Sequence, residues 1–395
     1  MRKARLRNVA LTVVLGSLRV LLRALSRVVP QDRSVVVTAY PETEGNGVET
    51  ARALVRRYAG RVVWLRDRGP VPAEVRELAG QGLVLVPKVS LRGLWAYLRA
   101  EAVLFTHGLY GSPRPVVRKP VVNLWHGDGP KDITPGRGVG AHIASTWFVG
   151  STALFSPWQA AAFGVPADRV LVTGNPRTDQ LWHPVPADRL AALGITGPFV
   201  VWMPTFRRPR AVGAVRVHDT APAALPDCSA GDRDGLAELL AGLQERGLQL
   251  VVKPHPMDAD RRRWPGAVTV DEDDLVDAGV PLYGLLGASS GLVTDYSSVW
   301  VDYLLLDRPM AFLVTDRVSY DRPLYPADVL DWVPGEVVDL DHRPFAGFFS
   351  DLDADGGRGA TKRRAVAERI GLNQTATAAD DLVTALVKLG VLASA

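Results

Sequence analysis

The chain has 395 residues, 47% hydrophobic and 22% charged, a globular composition long enough for two domains that excludes a disordered chain. Its single cysteine, Cys228, excludes an internal disulfide framework and a Cys-cluster metal site, and a reducing compartment is the simplest inference. The formal charge of +4 belongs to the N-terminus: Arg2, Lys3, Arg5, Arg7, Arg19, Arg23 and Arg27 precede the first acidic residue, Asp32, so the body is net negative and gives no case for nucleic acid as a partner.

Residues 1–30 join this basic start to an apolar run over 9–22. Arg19, Arg23 and Arg27 fall on one helical face, and Leu18, Leu21, Leu22, Leu25 and Val29 line another. A basic amphipathic helix of this kind suits an anionic membrane surface, lying in the interface. A signal peptide would need a small-x-small cleavage site, which does not follow, and a span needs about 20 apolar residues. Packing of the helix on its own domain is the alternative.

From 31 to 185, short apolar runs at 35–37, 62–65, 83–86, 103–105, 121–125, 148–149 and 170–172 alternate with helical patterns. Continuous β-branched runs separated by helices are what a parallel sheet covered on both faces requires. The pattern restarts after Pro184 and Pro186, with runs at 199–202, 248–252, 268–270, 292–293 and 310–314. This predicts an α/β fold of two Rossmann-like, doubly wound domains, 31–185 and 186–395, facing a central crevice and preceded by the N-terminal helix. Within the second domain, 207–235 is rich in Pro, Ala and Gly, carries His218 and Cys228, and reads as a mobile loop; 365–392 reads as helical.

Polar clusters follow five of these runs. His126-Gly127-Asp128-Gly129-Pro130-Lys131 follows 121–125, and Gly174-Asn175-Pro176-Arg177-Thr178-Asp179 follows 170–172. In the second half Pro204-Thr205-Phe206-Arg207 follows 199–203, Lys253-Pro254-His255-Pro256 follows 250–252, and Thr294-Asp295-Tyr296-Ser297-Ser298 follows Leu292 and Val293. Ligands of open α/β sheets bind outside the carboxyl ends of the strands, so the five clusters can converge on one crevice. Ser297 and Ser298 read as the N-cap and first turn of a helix, a place suited to phosphate. Arg207 and Lys253 are phosphate-binding types, His255 can donate to a phosphate oxygen, and His126 is a candidate base.

Each residue also has a plain structural explanation. His126 fits a buried histidine, Asp295 a cap, Asp302 a solvated helix face, and Arg177 with Asp179 a local ion pair shaping a turn. His107, after 103–106, is a further strand-end histidine. No phosphate-binding Gly-x-x-x-x-Gly-Lys loop or Gly-x-Gly-x-x-Gly fingerprint occurs, which removes most support for ATPase and dinucleotide readings. No Asp-x-Asp sits at a convincing strand end, Asp351-Leu352-Asp353 lying in the Gly-rich stretch before the tail, so neither a metal site nor a cofactor is expected, with assistance by Mg²⁺ left open.

With these clusters in order, LWHGDGPK, GNPRTD, MPTFR, VVKPHP and TDYSSVWVDYLLLDRPM, the chain resembles the CDP-glycerol glycerophosphotransferase family of teichoic acid synthesis from about Val103 to Asp328. The resemblance implies a GT-B architecture with an acceptor-side first half and a C-terminal half holding the donor. It implies His126 as general base, His255 as its catalytic partner beside Arg207, Ser297 and Ser298 at the donor pyrophosphate, and Thr205, Lys253, Asp295 and Asp302 shaping that pocket. Lys131, Arg177 and Asp179 then belong to the acceptor side or its loops. It also implies transfer of glycerol or ribitol phosphate from CDP-glycerol or CDP-ribitol to a lipid-linked glycan or polymer, releasing CMP, by a peripheral enzyme at the cytoplasmic face of the membrane. Two stretches depart from the family pattern: Asp128-Gly129-Pro130 before Lys131, and Arg322-Pro323 after Tyr320. A nucleotide-sugar glycosyltransferase and a non-catalytic membrane scaffold of the same fold are the rival readings.

Overall fold

The computed structural model describes residues 2–133, 143–205, 230–255, 264–315, 317, 320, 323–338 and 344–393, with the backbone alone within 2–13 and 230–234. The first sheet contains β1 (Ser34–Thr38), β2 (Arg61–Arg66), β3 (Val84–Pro87), β4 (Ala102–Phe105), β5 (Val121–Asn123), β6 (Trp147–Gly150) and β7 (Val170–Val172), in the order β3-β2-β1-β4-β5-β6-β7. The second contains β8 (Phe199–Met203), β9 (Gln249–Val252), β10 (Val268–Thr269), β11 (Gly291–Thr294), β12 (Met310–Phe312) and β13 (Glu336–Val337), in the order β10-β9-β8-β11-β12-β13. Every pairing in both sheets is parallel. The first twelve strands coincide with the twelve apolar runs. The last, two residues long and half-buried, carries no such run.

Burial explains the runs. All five residues of β1 and all four of β4 and β11 are buried, because helices cover both faces of each sheet and no polar face is needed. Strand order reverses between β1 and β4 in one sheet and between β8 and β11 in the other. At such a switch point the loops leave in opposite directions and open a crevice at the carboxyl ends of the strands.

The tail, expected with the second half, packs on the first. Asp179 of the 3₁₀ turn Pro176–Trp182 accepts from the N–H groups of Ala378 and Ala379 at 2.7 and 3.1 Å, capping the helix Ala378–Lys388. Leu382, Val383 and Leu386 of that helix are buried in the core that also holds Val35, Val37 and Leu104. An apolar face needs an apolar partner, and the uncovered face nearest that cap belongs to the first sheet. Asp179 is therefore a helix cap and not a partner of Arg177.

The N-terminal helix spans Arg2–Val28. Leu22 is buried against the first half with Leu18, Leu25 and Val29 packed around it, whereas Leu21, expected on that face, is 54% exposed alongside Val14, Val20 and Val28. The helix thus has one face docked on its own domain and a second apolar face in solvent. Among the described residues, no helix is long and apolar enough to cross a membrane. Most of the loop expected over 207–235 lies outside the described residues, including Arg207, His218 and Cys228; its last part is already helix, Ala230–Gln244.

Candidate active site

On the first half, β1, β4 and β5 are neighbours, and their exits carry Tyr40, His107 and His126. The His107 and His126 rings stack at 4.5 Å and 7°, and His126 lies against Trp125 at 3.8 Å. A sharp reversal after β5 places them there. Trp125 takes φ +49°, a left-handed value costly for a bulky residue, and Gly127 follows at +107°. The reversal is held by buried amides: Asn123 Oδ1 accepts from the Trp125 N–H at 3.0 Å, and Asn46 Nδ2 donates to the carbonyls of Leu124 and Trp125 at 3.3 and 3.1 Å.

Asp128 anchors this loop from behind. Its buried carboxylate accepts from the N–H and hydroxyl of Ser151, the N–H and hydroxyl of Thr152, the Ser156 hydroxyl and the Asn175 amide. So many donors satisfy a buried charge that would otherwise be prohibitive. Next to it, a Cβ on Gly129 would lie 2.5 Å from Ser298 Cβ, so the loop touches the Ser297–Ser298 turn of the opposite half.

In the second half the exits of β8 and β11 are tied by Asp295. Its carboxylate accepts from the Thr205 N–H at 2.8 Å, from the Thr205 hydroxyl and from the Ser297 N–H at 3.2 Å. Asp295 and Thr205 are both buried, and so hold the switch point in shape. Ser298 occupies the N-cap of the five-residue helix Val299–Tyr303, but its hydroxyl makes no capping bond and its backbone is helical rather than extended. The hydroxyl is thus not committed to the cap expected of it. Tyr296 stacks on Tyr320 at 3.6 Å behind the same turn.

His255 sits half-buried at the exit of β9, after Lys253. Lys253 is itself buried, with Nζ 3.3 Å from the Pro254 carbonyl and 3.5 Å from Glu272, whose carboxylate accepts from the Thr43 hydroxyl of the first half at 3.0 Å. This expected phosphate ligand already has a counter-ion, and it braces the turn that carries His255.

Arg177 and Asp302 correct the local reading most. Asp302 is not a solvated helix face: it is 1% exposed and accepts from Arg177 Nε at 3.0 Å, Arg177 Nη2 at 2.6 Å, Tyr283 Oη at 2.6 Å and Asn175 Nδ2 at 2.8 Å. Arg177 in turn donates to the His126 carbonyl at 2.6 Å, lies 3.8 Å from Glu44 and has its ring-plane neighbour in Tyr283, 4.7 Å away. Burial opposes the Arg177 charge, but Asp302, Tyr283 and Glu44 outweigh it and raise its pKa. Burial lifts Glu44 to about 7 despite Arg177. One guanidinium therefore connects the His126 loop to the helix after Ser298.

Lys131 joins the halves by its backbone, in an antiparallel bridge to Leu324. The Tyr325 N–H donates to the Pro130 carbonyl at 2.7 Å and the Asp132 N–H to the Pro323 carbonyl at 3.0 Å. Residues 130–132 and 323–325 thus meet each other. Among the described residues no group of three His, Cys, Asp or Glu side chains could hold a metal ion. Asp351 and Asp353 are bonded to Arg363 and Arg246.

The model of the CDP-glycerol:poly(glycerophosphate) glycerophosphotransferase family matches residues 58–388, spanning both sheets. The chain belongs to this family. It is 28% identical over 199 residues to a teichoic acid ribitol-phosphate primase of Bacillus spizizenii, a match covering 46% of this chain and 44% of that protein. It is 24% identical over 301 residues to a teichoic acid glycerol-phosphate transferase of Staphylococcus aureus, covering 64% and 68% respectively. The match therefore spans less than half of the primase. Among solved structures, the wall teichoic acid polymerase TagF superposes with a TM-score of 0.65 at 18% identity, covering 98% of this chain and 97% of that one. An S. aureus MnaA–UDP structure gives 0.53 at 10% identity, covering 91% and 98%. The fold is thus GT-B-like, two Rossmann-like halves across a crevice.

Proposed function

We propose that the protein transfers glycerol phosphate, or a related polyol phosphate such as ribitol phosphate, from a CDP donor to a hydroxyl of a lipid-linked teichoic-acid-type acceptor. The observation that carries this reading is the meeting of two switch points at one crevice, a histidine pair on one side and a Thr205–Asp295–Ser298 turn on the other. His126 takes the proton of the acceptor hydroxyl while that oxygen attacks the donor's β-phosphorus. The new oxygen–phosphorus bond forms as the bond to the bridging oxygen breaks, and CMP leaves. Phosphoryl transfer asks for positioning and charge stabilisation more than covalent help. His255, Ser297, Ser298 and Arg207 supply donors to the pyrophosphate, while Thr205, Asp295 and Lys253 hold those donors in place. Lys131, Arg177 and Asp302 hold the base loop against the donor turn.

The acceptor's lipid agrees with the solvent-facing Val14, Val20, Leu21 and Val28 of the N-terminal helix, which with Arg27 suit the anionic cytoplasmic face of a membrane. Leu21→Glu/Val28→Glu is then expected to lower co-sedimentation with phosphatidylglycerol vesicles and to leave folding unchanged.

The deciding experiment is CMP release from CDP-glycerol and CDP-ribitol, with and without a glycerol-phosphate-primed lipid acceptor, for wild type, His126→Ala and His255→Ala. Acceptor-dependent release lost in both variants supports the reading. Turnover of a nucleotide sugar alone would replace it with glycosyl transfer, and activity unchanged by His126→Ala would remove the base.

A further inference from the structure

We infer that Tyr40 and His107 form a subsite for a hydroxyl-bearing sugar ring of the acceptor, beside His126 on the first half's wall of the crevice. The inference rests on the reading of His126 as the base. Tyr40 leaves β1 and His107 leaves β4, the two strands that flank the first switch point, where a ligand of such a sheet enters. Together with His126 they make a continuous series of rings. Tyr40 meets His107 edge-on at 5.9 Å and 75°, and His107 stacks on His126 at 4.5 Å and 7°. The outer end is open: Tyr40 is 57% exposed.

The placement is built into the backbone. The buried Thr106 hydroxyl accepts from the Tyr40 N–H at 3.0 Å and lies 3.1 Å from His107 Nδ1, so a single side chain ties both exits together. Gly108 then turns the chain at φ +87°, and a Cβ there would meet Ser112 Oγ at 2.6 Å, so the turn after His107 admits only glycine.

The ligand class follows from the chemistry. Aromatic faces take the C–H face of a sugar, and an imidazole bonds its hydroxyls. Tyr40 carries no charge, so this wall suits the neutral glycan end of an acceptor, while the phosphate-binding types Arg207 and Lys253 lie on the opposite half. A sugar ring laid on Tyr40 and bonded to His107 would present its next hydroxyl, or that of an attached glycerol, to His126.

Calorimetric titration of the full chain with a short-chain lipid diphosphate carrying a disaccharide needs no turnover. Tyr40→Ala is expected to weaken disaccharide binding about ten-fold, Tyr40→Phe to keep it because the ring face remains, and His107→Ala to weaken it while His107→Asn recovers part. Binding of oligo(glycerol phosphate), which has no ring, is expected to be the same in wild type and Tyr40→Ala. In turnover the Tyr40→Ala defect appears in acceptor KM and not in the KM for CDP-glycerol. Disaccharide binding absent in wild type, or equal in wild type and Tyr40→Ala, overturns the subsite. Tyr40-dependent binding without CMP release from any CDP-polyol would instead overturn the transferase reading and leave the subsite standing.

Discussion

Arg177 and Asp302 are 125 residues apart and join the two halves, so their removal tests whether a buried ion pair holds the crevice. The contacting side chains are 10% and 1% exposed, and the guanidinium reaches one carboxylate oxygen at 2.6 and 3.0 Å. Breaking such a pair strands a buried charge, which costs about 3–5 kcal/mol. Arg177→Met should fall at the lower end, about 3 kcal/mol, because Tyr283 and Asn175 still donate to Asp302. Asp302→Leu should cost at least as much, since Arg177 loses both of its bonds to a full charge partner and keeps the His126 carbonyl, the Tyr283 ring and Glu44 at 3.8 Å. The double variant strands neither charge and should be more stable than either single one by roughly 2 kcal/mol. Urea unfolding followed by tryptophan emission measures the cycle. Single effects that add to within about 0.5 kcal/mol would refute the coupling, because independent sites behave that way. The double variant should nonetheless transfer more slowly, since the His126 carbonyl loses its donor.

Three further outcomes follow from particular contacts. Gly129→Ala drives a Cβ to 2.5 Å from Ser298 Cβ and should lower kcat and raise the donor KM; adding Ser298→Gly, which removes that carbon, should restore part of both, and equal defects in the single and double variants would refute the contact. Asp128→Ala strips the acceptor from at least six buried donors and should lower the melting temperature and cost about 3 kcal/mol or more in unfolding free energy; an unchanged melting temperature would contradict the anchoring role. Glu44 has its carboxyl raised by burial from 4.5 to about 7, so its contribution to stability is full below 4.5 and is lost as pH rises through 7. Glu44→Gln should flatten the decline of the urea midpoint over that window, and a decline as steep as wild type would assign it to Asp179 and Glu74, which burial also raises to about 7.

The apolar runs made the fold legible because the central strands β1, β4, β5, β11 and β12 are buried on both faces and have to be apolar throughout. β13, two half-buried residues beginning with Glu336, carries no such run. The polar clusters after those runs were legible for a related reason, since residues at strand exits have no packing role that would explain a histidine, a serine pair or a buried carboxylate. Asp128 shows the limit of that logic. In the sequence it reads as a loop residue, and its six donors, on four residues from Ser151 to Asn175, give no linear signal.

Length, composition and the order of motifs by themselves determined two parallel α/β halves, twelve of the thirteen strands among the described residues, and the family to which the chain belongs. Periodicity reports one strand or helix at a time, and a motif needs only its own few residues, so both survive in a linear string. Only the tertiary structure decided that Arg177 pairs with Asp302 rather than Asp179, that the tail helix returns to the first half, and that Tyr40, His107 and His126 form one row of rings. Each of these depends on which element lies beside which, and that is set by the burial of apolar faces from distant parts of the chain.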